Sequence, residues 1–169
     1  MHNSKSLYIT KAAIIAALYI VLTIIVNTLN LASGPIQIRI SEALTILPFF
    51  TASAVPGLFV GCFLSNLITG CLPWDIVFGS IATLLGAIGT KHIAKLDIKA
   101  AKWLAPIPAI VSNTVIIPLI LVHIYHLDNV YPYFMLTIGV SEFISAGVLG
   151  ILLLVTIKKS DRIYKLLSD

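Results

Sequence analysis

The sequence predicts an all-α integral membrane protein with six transmembrane helices and both termini in the cytoplasm. Three observations carry this. First, the 169 residues are 59% hydrophobic and only 11% charged, with a mean hydropathy of +1.03. Ordinary globular chains carry about a quarter charged residues, and a soluble protein of this size has no interior large enough for so much apolar surface. Second, the apolar residues form runs of helical length near 8–30, 42–54, 56–72, 75–95, 104–126 and 132–157. Third, the basic residues sit in only a few places along the chain. Residues 1–169 read as one domain.

The first run follows Lys5 and Lys11. Its core, Ala12 to Val26, has the form of a signal peptide, with small residues at 31–33 for cleavage. A second apolar run follows closely, and the topology requires the first to stay, so it is read as a retained helix. The second and third runs are short for spans, which usually need about 20 residues. Pro56 and Gly57 suit the tight turn between them, and Pro48 is expected to bend the second. The two runs form either two short spans or a re-entrant hairpin; two spans are adopted. Cys62 and Cys71 lie inside apolar runs without ligand-like neighbours and read as small packing residues.

Charge sets the orientation. Of the eleven basic residues, Lys5 and Lys11 precede the first run. Lys91, Lys95, Lys99 and Lys102 surround the loop between the fourth and fifth, and Lys158, Lys159, Arg162 and Lys165 follow the last. Only Arg39 lies elsewhere. The positive-inside rule places all three groups in the cytoplasm, leaving Arg39, Asp75 and Asp128 at the outer face. The basic excess is thus a topology signal and not a nucleic-acid footprint.

Small residues recur every fourth position at Gly57, Gly61, Ser65 and Thr69, and in the first run as Ala12-x-x-x-Ala16 and Ala13-x-x-x-Ala17. Such stripes let helix backbones approach closely. They serve either packing within the chain or docking of another membrane protein.

Ionisable and amide groups inside membrane helices are costly and mark candidate sites. Glu142 lies about ten residues from the outer end of the last run, roughly 15 Å deep at helical rise. Asn113 lies about ten residues from the inner end of the fifth, so the two share a depth on antiparallel neighbours. They form either a structural tie or a binding pair. Asn66 falls in the outer part of the third run. Trp74 and Asp75 open the fourth, with Phe78 a turn below; a capping and interfacial role competes there with binding. His123 and His126 read as interfacial, with no carboxylate at metal-site spacing. Arg39 and Glu42, three apart, share a helix face. They form a mutual ion pair or offer donors and acceptors to a polar solute under a lid.

Nothing in the sequence suggests a motor, a cofactor or a reaction. There is no G-x-x-x-x-G-K-[ST] loop, no dinucleotide fingerprint, no His-Glu-x-x-His pair and no G-x-S-x-G elbow. A binding protein for a polar solute is expected, and active uptake would draw energy from a partner.

The stretches "GPIQIRISEALTILPFFTASAVPGLFVGCFLSNL" and "DIVFGSIATLLGA", with "GVSEF" at 139–143, resemble the QueT family, substrate-binding (S) components of energy-coupling factor transporters for queuosine precursors. The resemblance covers roughly residues 8–157. It implies six membrane helices and an outward-opening pocket partly covered by the loop at 31–41. It also implies docking through helix one, here Ala12, Ala13, Ala16 and Ala17, onto a transmembrane coupling protein that carries two ATPase subunits. The implied substrate is a 7-deazaguanine, such as the 7-cyano or 7-aminomethyl compound. Such a ring presents an N–H and an amine to a carboxylate, for which Glu142 is chosen. Its carbonyl needs a donor from Asn113 or Arg39, its face an aromatic from Trp74 or Phe78, and a cationic arm would meet Asp75 or Glu42. The alternatives are an S component for another vitamin-like solute, a stand-alone facilitator or channel, and an intramembrane enzyme or assembly factor using Glu142.

Overall fold

A computed structural model describes residues 2–29, 38–96, 98–125 and 131–168. The lid expected at 31–41 falls largely outside these residues, as do His126 and Asp128. Among the described residues every regular element is helical. Helix α1 is His2–Thr28, followed by a 3-10 helix, Ile40–Phe49. Then come α2 (Ala54–Ile68), α3 (Pro73–Ala94), the short α4 (Ala101–Leu104) and α5 (Ile107–His123). The last long helix is continuous over Tyr131–Lys159. It is built from α6 (Tyr131–Glu142), a π-helical stretch (Phe143–Leu149) and α7 (Gly150–Lys159), and α8 (Asp161–Leu167) follows. All six apolar runs are therefore mainly helical over their described residues. Four helices are long and apolar enough to cross a membrane: Lys5–Thr28, Pro73–Ala94, Ala101–His123 and Tyr131–Lys159. Their exposed faces are apolar, as lipid requires, and the chain is a multi-pass membrane protein.

The second run departs from the bent α-helix expected of Pro48. It is wound as a 3-10 helix throughout, and all of Ser41–Pro48 is buried. A proline in an α-helix loses the bond to the residue four back and clashes with its carbonyl; winding to i→i+3 gives a thinner rod. That rod fits at the centre of the bundle, against α1, α3, the π-helical stretch and α7.

Small residues set the outer contacts. A Cβ on Gly57 would lie 2.7 Å from the Ala12 carbonyl oxygen, and one on Gly61 would lie 2.8 Å from Tyr19 Cβ and 3.1 Å from Ala16 Cα. Helix α2 thus presses its glycine stripe onto α1 at backbone distance. Helices α3 and α5 meet likewise, with Gly86 set against Ala109 Cα at 2.7 Å from a would-be Cβ. A hydroxyl bond from Ser112 to the Ala82 carbonyl (2.9 Å) reinforces that pair, and one from Thr90 to the Ala105 carbonyl (2.8 Å) ties α3 to the turn ahead of α5.

The first turns of α1 and the end of α8 lie at one end of the bundle. Lys11 Nζ donates to the Leu167 carbonyl (3.3 Å), Lys158 Nζ stands 4.9 Å from the Phe49 ring centre, and Phe50 meets Tyr164 edge to face. At the other end, α2 stops at Gly70, whose φ of +74° suits a residue without a Cβ. The turn there puts Pro73 at the start of α3, where its missing N–H costs nothing.

Candidate functional site

A cavity of about 260 Å³ opens where the ends of the 3-10 helix, α2, α3, α5 and α6 converge. Each element delivers its side chain for a local reason. Arg39 is the last extended residue before the 3-10 helix (φ −107°, ψ 93°), and its backbone N–H donates to Ser145 Oγ at 3.1 Å. Asn66 sits in the last turn of α2 and Asp75 in the first turn of α3. Asn113 comes from the middle of α5, and Glu142 ends α6 where the π-helical stretch begins. A π turn inserts an extra residue and rotates the side chains that follow. Here it turns Ser145 toward Arg39 while Ser141 and Glu142 face the cavity.

Arg39, Asn66, Asp75, Asn113 and Glu142 all line this cavity. The structure thus brings together residues separated by more than 100 positions. The Arg39 guanidinium lies within Coulombic reach of Glu42, Asp75 and Glu142. Three carboxyl groups to one guanidinium leave the site rich in acceptors. Asn113 and Glu142 interact across the α5–α6 seam. Even so, Asn113 Nδ2 and Glu142 Oε2 are buried atoms with no hydrogen-bond partner among the described residues. A buried polar atom left without a partner costs about 1–3 kcal/mol, so this donor and acceptor at the cavity carry a cost that a partner would relieve.

The other nominated residues lie off the cavity. Glu42 is buried under it and accepts a hydrogen bond from the Tyr19 hydroxyl of α1; its second oxygen has no partner among the described residues. Trp74 and Phe78 stack on each other at 5.9 Å, with Trp74 half exposed. The aromatic side chains in the lining are Tyr133 and Phe134 of α6. Ala12 and Ala16 are covered by α2, whereas Ala13 and Ala17 remain at the surface. His123 is exposed. Among the described residues no cluster of His, Cys, Asp and Glu is placed to hold a metal.

Several lining residues were not foreseen. Tyr133, Phe134, Thr137 and Ser141 join the expected Glu142 at helical spacing along one face of α6, a polar and aromatic stripe visible in "YFMLTIGVSE". Cys71, read as packing, lines the cavity beside Asn66. Tyr19 gave one usable signal: a tyrosine in an otherwise aliphatic helix needs a partner for its hydroxyl when buried.

Comparison with known proteins adds the family. The model of the QueT transporter family matches residues 9–159. A curated relative, the queuosine precursor transporter QueT of Lactococcus lactis subsp. cremoris (strain MG1363), is 36% identical over 86 residues. That alignment covers half of this chain and half of the relative's length. No solved structure matches the chain.

Proposed function

Because this chain belongs to the QueT transporter family, we propose that it is the substrate-binding subunit of an energy-coupling factor importer that captures a 7-deazaguanine queuosine precursor. One observation carries the reading. Glu142 Oε2 and Asn113 Nδ2 are a buried acceptor and a buried donor without partners, on facing helices at the cavity. The edge of a guanine-like ring has the complementary order, with N–H and amine donors next to a carbonyl acceptor. Glu142 accepts from the ring N–H and the amine. Asn113 donates to the carbonyl, with Arg39 as a further donor. Tyr133 and Phe134 supply the apolar faces, and Asp75 meets a cationic aminomethyl arm. Asn66 completes the polar wall. Glu42 holds Arg39 from below and does not touch the ring, and Trp74 and Phe78 buttress the start of α3 beside Asp75. The relative's name supports the substrate class.

In this reading residues 1–169 are a single domain that crosses the membrane six times, with both termini in the cytoplasm. The contacts at the two ends support six spans over a re-entrant hairpin. The 3-10 helix starts beside the cavity at Arg39 and finishes against Lys158, and α2 returns from Ala12 to the Asp75 end. At about 2 Å per residue the ten-residue 3-10 helix covers about 20 Å, and α2 covers about 22 Å. The chain binds its solute and catalyses no reaction. Energy comes from two ATPase subunits through a transmembrane coupling protein, which docks on the exposed Ala13–Ala17 face of α1.

Calorimetry of 7-aminomethyl-7-deazaguanine on the purified chain tests this reading, with Glu142→Gln alongside. Tight binding that the substitution weakens ten-fold or more is expected. Absence of binding overturns the substrate, and binding indifferent to the substitution overturns the site. Solute flux into liposomes holding this chain alone would overturn the subunit role in favour of a facilitator.

A further inference from the structure

A second cavity, of about 230 Å³, adjoins the first and shares Arg39, Asn66, Cys71 and Asp75 with it. Its remaining walls differ in chemistry. They are Thr23, Val26 and Asn27 from the end of α1, Ser41 from the start of the 3-10 helix, and Thr69 from the end of α2. The Thr23 and Ser41 hydroxyls pair at 2.9 Å. The Thr69 hydroxyl donates to the Ser65 carbonyl at 2.8 Å, which leaves its oxygen as an acceptor. Beyond the shared junction these walls offer hydroxyls and an amide and, among the described residues, no ionisable side chain. The first cavity is walled by aromatics and carboxylates, so the two compartments recognise different things.

We propose that the second cavity is a subsite for an uncharged, hydroxyl-bearing substituent attached to the ring held in the first. The inference rests on the reading of the first cavity as a deazaguanine site. Any group reaching from one compartment into the other meets the residues they share, Arg39, Asn66, Cys71 and Asp75. Among the described residues Asp75 is the only carboxylate shared by the two cavities, and the connecting atom it matches is a protonated secondary amine. Past the junction, a ring with neighbouring hydroxyls finds Thr23, Asn27, Ser41 and Thr69 as partners. Among the described residues Arg39 is the one cation lining this cavity and Asp75 stands beside it, so a phosphate is disfavoured there. The ligand class is therefore a deazaguanine with a hydroxylated carbocycle or sugar-like ring on its amine, larger than the bare aminomethyl base.

The test compares two ligands on the purified chain by calorimetry: 7-aminomethyl-7-deazaguanine, and queuine, the same base with a dihydroxycyclopentenyl ring on the amine. Queuine is expected to bind at least five-fold tighter. Thr69→Val and Asn27→Leu are each expected to cut that preference five-fold or more. Queuine binding no tighter than the smaller base overturns the subsite, as does a preference that neither substitution moves. In both cases binding of the smaller base leaves the first cavity's reading intact. If neither ligand binds, the deazaguanine reading falls and this inference falls with it. The wild-type comparison decides alone should a variant fail to fold.

Discussion

The backbone N–H of Arg39 donates to the Ser145 hydroxyl at 3.1 Å across 106 positions of sequence. The bond joins one of the four residues shared by both cavities to the π-helical stretch that follows Glu142. Cation and carboxylate are thereby held in register by a contact that touches no solute. Ser145→Ala removes one such bond, of about 1 kcal/mol net. Binding of 7-aminomethyl-7-deazaguanine is expected to weaken roughly five-fold at that energy, with the helical content by circular dichroism unchanged.

The Tyr19–Glu42 pair is buried under the site, and Glu42 already has one oxygen without a partner. Tyr19→Phe takes the partner from the other. A loss of about 1–3 kcal/mol in stability is expected, read as a lower unfolding temperature in detergent. Glu42→Gln in the same background should cost less than it does alone, because residues in direct contact are not additive. Additive losses would show that the two side chains act separately.

Gly61 has no room for a side chain: a Cβ there would lie 2.8 Å from Tyr19 Cβ and 3.1 Å from Ala16 Cα. Gly61→Val forces α1 and α2 apart, and overpacking of this kind costs about 1–3 kcal/mol. Thermal unfolding of the variant is expected well below that of the parent. Gly70→Val meets no neighbour but must hold a φ of +74°, so its loss comes from backbone strain of about 1–2 kcal/mol.

Cys71 lines both cavities, while Cys62 is buried. Alkylation of Cys71 by a small membrane-permeant maleimide is expected to slow at least five-fold when 7-aminomethyl-7-deazaguanine is present. Unchanged labelling at saturating ligand would place the ligand elsewhere.

Asp75 stands at the junction of the cavities and is the carboxylate assigned to a cationic arm. Asp75→Asn should cost the 7-aminomethyl base at least ten-fold more affinity than the neutral 7-cyano base, since a hydrogen bond to a charged partner is roughly twice as strong as a neutral one and the ionic attraction is lost as well. Equal losses, measured by competition calorimetry, would remove Asp75 from that role.

The sequence displayed what depends on counting along a helix. The six apolar runs are helices because their composition permits nothing else in lipid. Glu142 and Asn113 share a cavity because equal distance from opposite ends of antiparallel helices means equal depth. What depends on rotation about an axis stayed hidden. The winding of Ile40–Phe49 into a 3-10 helix and the π turn after Glu142 both change side-chain azimuth without altering hydropathy. The aromatic walls were sought at Trp74 and Phe78, next in sequence to Asp75, but α3 turns them away from the cavity and α6 supplies Tyr133 and Phe134. Tyr19 and Glu42 lie 23 positions apart, with nothing local to pair them.

The two alanine pairs of α1 are offset by one residue, which is about 100° around the helix. Ala12 and Ala16 answer to Gly57 and Gly61; Ala13 and Ala17 answer to whatever lies outside the chain. In the evolutionary record of such proteins, substitutions at 12 and 16 should therefore track substitutions at 57 and 61 within the same gene. If the proposed coupling protein docks there, those at 13 and 17 should track a different gene altogether, and the one-residue phase between the pairs would then separate two selective pressures acting on a single helix.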